Sequence, residues 1–288
     1  MADIKIAGVM RAGIFSPNHI GNDSAIFNLV AEQLRKRGCE VNVYSEEQFI
    51  SGAVSENTIF NMCREPRSIE LLQKLEDRGA LVINSGYGIE NCIRERMARI
   101  LLGNNIPYPE SIVVSTDEAI RDRLTKSHIS RCWIKRGDSH TMHNEDVTYV
   151  RHPEEAQEIL QEYFLRGIKR AVINRHLEGE LIKFYGIAGT SFFYWLSASN
   201  SSSSRRAASR QSAPGFDEQK LKALCSAAAE VLDINVYGGD CVVEPDGIMR
   251  IIDFDDWPSF APCRQDAATN IAKFIMSSIK ERTKAGNR

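Results

Sequence analysis

Three aspartates near the C-terminal end of the chain have a spacing that can hold a divalent cation. Asp240 precedes a short apolar run, Cys241 to Val243, and Asp253 and Asp255 follow another, Ile248 to Ile252. Pro245-Asp246-Gly247 between the runs is a turn sequence, so the segment reads as a hairpin. A hairpin brings the start of its first strand beside the end of its second, and alternate residues share one side of an extended chain. The three carboxylates therefore converge. Unpaired, they would repel one another and raise each other's pKa. A hard cation such as magnesium, which prefers oxygen ligands, resolves that conflict. A solvated acidic turn is the plain alternative. Asp256 points to the other side of the strand.

Other candidates are scattered. His140 and His143 stand close together, but no third ligand has the spacing of a zinc site. Ser16 to Asp23, dense in polar groups, follows a strand-like run, where open α/β sheets commonly bind ligands; an ordinary turn and helix cap would read the same way. Arg64, after another strand, suits an anionic substrate or a surface salt bridge. Seven cysteines without close pairing read as buried free thiols, with a catalytic thiol left open.

The elements that must position these residues are α/β at first and α+β later. Ile4 to Met10 reads as a buried strand, Ser24 to Arg37 as an amphipathic helix ended by Gly38, and Cys39 to Tyr44 as a second strand. This β-α-β opening is typical of a parallel sheet. A strand at Thr58 to Met62, a helix at Ser68 to Arg78 stopped by Gly79, and a strand at Ala80 to Asn84 continue it. A helix at Glu90 to Leu102 leads to Ile106-Pro107-Tyr108-Pro109, which the prolines hold extended. Beyond it, strands at 111–114, 131–135, 146–150, 171–175 and 181–187 accompany helices near 116–125 and at Pro153 to Leu165. Pro153 is expected in the first turn of the latter helix. Ser197 to Ala213, rich in serine and carrying Arg205, Arg206 and Arg210, reads as a flexible loop inside a domain, followed by a helix at Asp217 to Leu232.

The composition is that of an ordinary globular protein, 43% hydrophobic and 26% charged. A net charge of −2 gives no general attraction to nucleic acid or membrane. No apolar run reaches the ~18 residues of a membrane span, and the N-terminal run is too short for a signal peptide. A cytoplasmic protein is expected.

The segment Gly238 to Phe260 resembles the C-terminal metal motif of the ATP-grasp superfamily. Asp240, Asp253 and Asp255 stand where the family has its acid on one strand and an acid with Asn or Asp on the next. Trp257-Pro258-Ser259-Phe260 stands at the family's following turn. Asp255 replaces the usual Asn, and Ser259 the usual Gly. Cys132-Trp133-Ile134-Lys135 resembles the central strand whose lysine contacts phosphates. The family's first phosphate lysine falls near Arg94 or Arg96, so a guanidinium substitutes for it. Ile173 to Gly179 is similar to the hinge that binds adenine, which would bring Asn174, His176 and Leu177 to the base and Glu178 or Glu180 to the ribose. Lys183 would face phosphates or acceptor. The glycine-rich phosphate loop is replaced by Arg136 to Asn144, with His140 and His143 as phosphate donors or acid–base groups.

The resemblance implies an ATP-grasp fold in three parts: an N-terminal parallel-sheet α/β domain (1–87), a linking helix with a small central α+β subdomain (88–176), and a C-terminal antiparallel-sheet α+β subdomain with the metal site (177–288). It implies a carboxylate–amine (or thiol) ligase, glutathione synthetase-like or ribosomal-protein glutamate ligase-like. Such an enzyme uses ATP and Mg2+, for which Mn2+ can substitute, and acts on a small-molecule or peptide carboxylate through an acylphosphate. Lys135, Arg94 and Arg210 would serve the transferring phosphoryl group. No nucleic-acid or membrane partner is expected, and a homodimer is compatible with the sequence. A small-molecule kinase on the same fold and a nucleotide-binding regulatory protein without turnover are the alternatives.

Overall fold

The computed structural model describes residues 4–139, 143–197 and 216–286. Its strands are β1 (Lys5–Met10), β2 (Glu40–Ser45), β3 (Thr58–Asn61), β4 (Leu81–Ile83), β5 (Ser111–Ser115), β6 (Cys132–Arg136), β7 (Val147–Val150), β8 (Arg170–Arg175), β9 (Glu180–Ile187), β10 (Phe193–Ser197), β11 (Val236–Val243) and β12 (Met249–Asp256). Its helices are α1 (Ile20–Arg35), α2 (Glu46–Ile50), α3 (Pro66–Asp77), α4 (Gly86–Asn91), α5 (Arg94–Gly103), α6 (Arg121–Lys126), α7 (Glu155–Leu165), α8 (Glu218–Leu232) and α9 (Arg264–Gly286).

Three four-stranded sheets follow one another along the chain. The first is parallel, in the order β2-β1-β3-β4. β1 is buried on both faces, which is why it reads as a continuous apolar run rather than an alternation. Gly38 and Gly79, with φ of +86° and +87°, follow α1 and α3 in the left-handed conformation that ends helices. The second sheet, β5-β8-β6-β7, is antiparallel and packs on α6 and α7 through Leu124, Leu160 and Tyr163. The third, β10-β9-β11-β12, is also antiparallel. Its inner face carries Phe184, Cys241 and Ile251 against α5 and α8.

The first and third sheets share a core. α9 follows the third sheet in sequence, yet its Ile271 and Ile275 pack with Ile26, Val30 and Leu34 of α1. Trp257, fully buried, stacks on Phe60 of β3 at 5.9 Å between ring centres. Its φ of +38° is a conformation that a tryptophan holds only where packing over-determines it. Asn84, buried after β4, gives its side-chain amide to the Val236 carbonyl (2.8 Å) and accepts from the Val236 N–H (2.7 Å). The ends of β4 and β11 are thereby tied together.

The differences from the sequence reading are local. α1 begins at Ile20 rather than Ser24, so Asn22 and Asp23 belong to the helix. The single helix expected at Glu90 to Leu102 is two, because the chain is extended at Ile93 (ψ 128°) and restarts there as α5. The helix near 116–125 is the shorter α6. Pro153 lies outside α7, whose cap is Glu154, so it does not occupy the first turn. Most of the segment Ser197 to Ala213 lies outside the described residues.

One partly buried contact has a pH dependence. Glu76 of α3 accepts the Gly86 N–H that opens α4 (3.0 Å). Burial, only partly offset by hydrogen bonds from Ser85 and Gly86, pushes its carboxyl up to about 7. The folded state therefore holds this proton where the unfolded chain has lost it. The contribution to stability is full below the ordinary glutamate value and lost as pH rises through about 7. Glu76→Gln keeps an acceptor and removes the charge. Its melting temperature is expected to exceed that of the parent at pH 8 and to match it at pH 4.5. Equal differences at both pH values in thermal denaturation would refute this.

Candidate active site

The site is built on the open face of the third sheet. Asp240 lies opposite Asp253, and Gly238 opposite Asp255. Lys183 of β9 lies on the other side of Asp240. A register shift follows Asp240: Cys241 pairs with Ile251, which leaves Ile252 as an extra residue in β12. Such a bulge switches which residues face the core. Before it, Met249 and Ile251 are buried; after it, Phe254 and Asp256 are. A regular strand would keep Asp253 on the side of Met249 and Ile251. The bulge turns Asp253 and Asp255 to the open face. The backbones approach closely here, since a Cβ on Gly239 would stand 2.2 Å from the Asp253 carbonyl oxygen.

The extra residue has its own role. The Ile252 carbonyl accepts a 2.7 Å hydrogen bond from Lys135 Nζ, which reaches across from β6 of the second sheet. Lys135 is buried, and that burial lowers its pKa against the pull of Asp253. Arg94 opens α5, gives Nη2 to Asp253 (3.1 Å), and has Nε and Nη1 buried without a protein partner. Lys183 Nζ binds Asp240 (2.9 Å).

These cations set the carboxylates apart. Burial opposes ionisation of Asp253, but Arg94 and Lys135 outweigh it and hold its pKa below the ordinary value. Burial, and next the charge of Asp253, push Asp255 up to about 7. Burial raises Asp240 as well, with Lys183 opposing. Among the described residues no group of three His, Cys, Asp or Glu side chains is arranged to hold a metal ion; Asp240 is engaged by Lys183 and Asp253 by Arg94.

Two cavities meet at Asp253. One, of about 320 Å³, is a slot between the second and third sheets walled by Trp133, Leu177, Leu181, Val242 and Ile252, with Lys135 and Asp240 at one side. Trp133 Nε1 donates to His176 Nδ1 (3.0 Å), which leaves the His176 ring proton on Nε2. The other cavity, of about 330 Å³, is polar, and Arg11, Arg64, Arg94, Lys183, Asp253 and Asp255 line it. Ser16, Asn18 and His19 of the N-terminal loop close its rim, together with His143.

The structure brings together Lys135, Asn174, His176, Leu177, Asp240 and Asp253 around the slot, and Arg94, Lys183, Asp253 and Asp255 around the polar cavity. Asn174 gives its amide to Ser111 Oγ (2.7 Å) and leaves Oδ1 buried without a partner. Glu178 is exposed and pairs with Arg131 (2.6 Å), and neither it nor Glu180 lines the slot. Of the two arginines considered for the first lysine's place, Arg94 lines the cavity, whereas Arg96 pairs with Glu90 at the surface. His140 and Arg210 lie outside the described residues.

Two features escaped the sequence reading. Arg11, after β1, binds Asp23 (3.0 Å), the Met62 carbonyl (3.1 Å) and Asp256 (3.5 Å). Asp256 also holds Arg64 (3.3 Å), so the salt bridge of Arg64 is buried rather than superficial. The doublet Asp255-Asp256 was the available signal: alternation sends one of two adjacent acids inward, and a buried acid needs a cation. All seven cysteines are free and buried. Cys92, a wall of the polar cavity, has its thiol pushed well above the ordinary value by burial and then by Asp256 and Asp255, which is unsuited to a nucleophile.

No protein-family model matches the chain, and no curated protein matches it significantly. Solved structures do. The chain is similar to D-alanine–D-alanine ligase from Bacillus anthracis, solved with ATP, at 16% identity and a TM-score of 0.73, over 98% of this chain and 99% of that one. It is similar to a RimK domain ATP-grasp protein from Sphaerobacter thermophilus at 16% identity and a TM-score of 0.69, over 94% of this chain and 99% of that one. A third is the ATP-grasp ligase PsnB complexed with precursor peptide PsnA2 and AMPPNP, at 16% identity and a TM-score of 0.63, over 96% of this chain and 98% of that one. At such identities the likeness is one of fold, and it extends over nearly the whole length of each partner. Three sheets in this order, with the slot between the second and third, make the conclusion plain: the chain has the ATP-grasp fold.

Proposed function

We propose that the chain is an ATP-dependent ligase that activates a carboxylate as an acylphosphate and passes the acyl group to an amine. The observation that carries this reading is the meeting of an apolar slot and a polar cavity at Asp253, with Lys135 and Arg94 at the junction. A nucleoside fits the slot, and its phosphates then reach the junction. Arg94 Nε and Nη1, buried without partners, are donors that phosphate oxygens satisfy. Lys135 can exchange the Ile252 carbonyl for phosphate.

Asp253 and Asp255, with Asp240 as a third, would hold magnesium, or manganese in its place, once Arg94 and Lys183 exchange these carboxylates for phosphate oxygens. The fit rests on Asp255, pushed up to about 7 by burial and by Asp253, an excess of negative charge that a divalent ion relieves. Bound there, the ion would neutralise charge on the transferring phosphoryl group.

The chain's own residues do the remainder. A carboxylate oxygen of the substrate attacks the γ-phosphorus, and the bond to the β–γ bridging oxygen breaks as ADP leaves. Arg94 and Lys135 stabilise the equatorial oxygens as that charge shifts. The amine then attacks the acyl carbon, the bond from that carbon to the phosphate oxygen breaks, and inorganic phosphate leaves with the proton the amine gives up. The cavity, closed on one side by the Ser16 to His19 loop, limits the water that would hydrolyse the acylphosphate.

The test is ADP release from the purified chain with ATP, magnesium and a panel of carboxylates and amines. ADP, free phosphate and amide in equal amounts are expected. Phosphate retained on the substrate would make the chain a kinase. ATP binding without ADP release against any pair would make it a nucleotide-binding protein without turnover.

A further inference from the structure

A third cavity adjoins the polar one and has no part in the reading above. It has a volume of about 360 Å³ and lies between α3 of the first sheet and the end of β6. Phe15, Pro66, Ile69 and Ile93 give it an apolar wall. Its polar groups are largely spent on one another. Gln73 Nε2 donates to Glu90 (3.0 Å), and Arg136 Nε donates to Asp138 (2.7 Å). Arg64 is common to this pocket and the polar cavity. Its side chain is 10% exposed, with one nitrogen on Asp256 at 3.3 Å and Nε buried without a partner.

The three cavities thus form a series. The slot shares Asp253 with the polar cavity, and the polar cavity shares Arg64 with the apolar pocket. A substrate whose carboxylate lies at Asp253 and Arg94 has its remote part directed away from the slot, toward Arg64 and what lies beyond. Beside Phe15 on the N-terminal loop, Ile14 is 73% exposed. A small hydrophilic acid would leave this wall bare to water, whereas a bulky apolar group would cover it.

We infer that the chain selects a bipartite substrate: a carboxylate held in the polar cavity, carrying a bulky apolar group that passes Arg64 into the pocket of Phe15, Ile69 and Ile93. This rests on the ligase reading for the identity of the reacting group and on the pocket for the rest. Phe15 is the specificity residue, because it is half-buried on a surface loop and is the aromatic side chain of that wall.

The test uses the whole chain with magnesium and AMPPNP, and isothermal titration of acetate, hexanoate and 3-phenylpropionate. Burial of the apolar group is expected to make 3-phenylpropionate bind about tenfold to a hundredfold more tightly than acetate. Phe15→Ala is expected to reduce that ratio about tenfold, and Phe15→Leu to restore most of it. Equal affinities for the three acids, binding of none of them, or a ratio indifferent to Phe15→Ala would each overturn the inference. ADP release with ATP and an amine panel is measured in parallel. A preference for 3-phenylpropionate without ADP release would sink the ligase reading and leave the bipartite site standing.

Discussion

Replacing Asp256 by asparagine is expected to lower the melting temperature by on the order of 10 °C. The carboxylate is 1% exposed and faces two guanidiniums, Arg11 at 3.5 Å and Arg64 at 3.3 Å, that are 5% and 10% exposed. Breaking a buried ion pair by removing one partner costs about 3–5 kcal/mol, because the remaining charge stays desolvated. Two cations are stranded here. Arg11 keeps Asp23 and the Met62 carbonyl, which softens its loss. Arg64 depends more heavily on Asp256, whose charge leads the effects that raise its pKa against burial. In a chain of this size each kcal/mol moves the midpoint by roughly 2–4 °C. The position matters as much as the charge: Arg11 follows β1, Arg64 follows β3, and Asp256 ends β12, so the cluster bolts the first sheet to the third. Calorimetric scans of Asp256→Asn beside Glu281→Gln, an exposed change on α9, check this. Similar small shifts for both would show that the cluster contributes nothing to stability.

The same cluster marks where sequence reasoning reaches its limit. The β-α-β opening was legible because burial on both faces leaves an uninterrupted apolar run and because Gly38 can end a helix where other residues cannot. The acidic trio was legible because a turn sequence between two apolar runs fixes which ends meet. The bulge was not. Ile251 and Ile252 are both apolar, so period-2 reasoning cannot say which one leaves the ladder, and that choice turns Asp253 outward and frees the carbonyl that Lys135 uses. The choice between Arg94 and Arg96 depended on a break in the helix at Ile93, where no glycine or proline announces one. The docking of α9 on α1 depends on residues more than 200 positions apart, which local patterns do not encode. Arg11 is a lone arginine after a strand, and its meaning appears with Asp23, Arg64 and Asp256 around it.

Asp253→Asn is expected to lower turnover on the order of a thousandfold and to abolish the magnesium-dependent part of ATP binding. Asp253 is the residue common to the slot and the polar cavity, it receives Arg94 at 3.1 Å, and it lies opposite Asp240. Asparagine keeps the shape and an acceptor for Arg94 and removes the negative charge. Loss of one preorganised group that stabilises developing charge typically costs 10²–10³ in rate, and a metal ligand belongs at the upper end. The fold should survive, for a physical reason that separates this variant from Asp256→Asn. Removal of Asp253 takes the charge that Arg94 and Lys135 face, but it also relieves the repulsion that holds Asp255 near 7, whereas removal of Asp256 leaves two buried guanidiniums repelling each other with nothing relieved in return. The unliganded variant should therefore melt below the parent at pH 8, where Arg94 and Lys135 hold the ionised Asp253, but by less than Asp256→Asn does, and it should lose the stabilisation that magnesium and ATP together confer on the parent. The comparison needs thermal scans of both proteins with ATP alone, with magnesium alone and with both. An undiminished shift with both ligands would remove Asp253 from the metal site, and with it the assignment of the acidic trio.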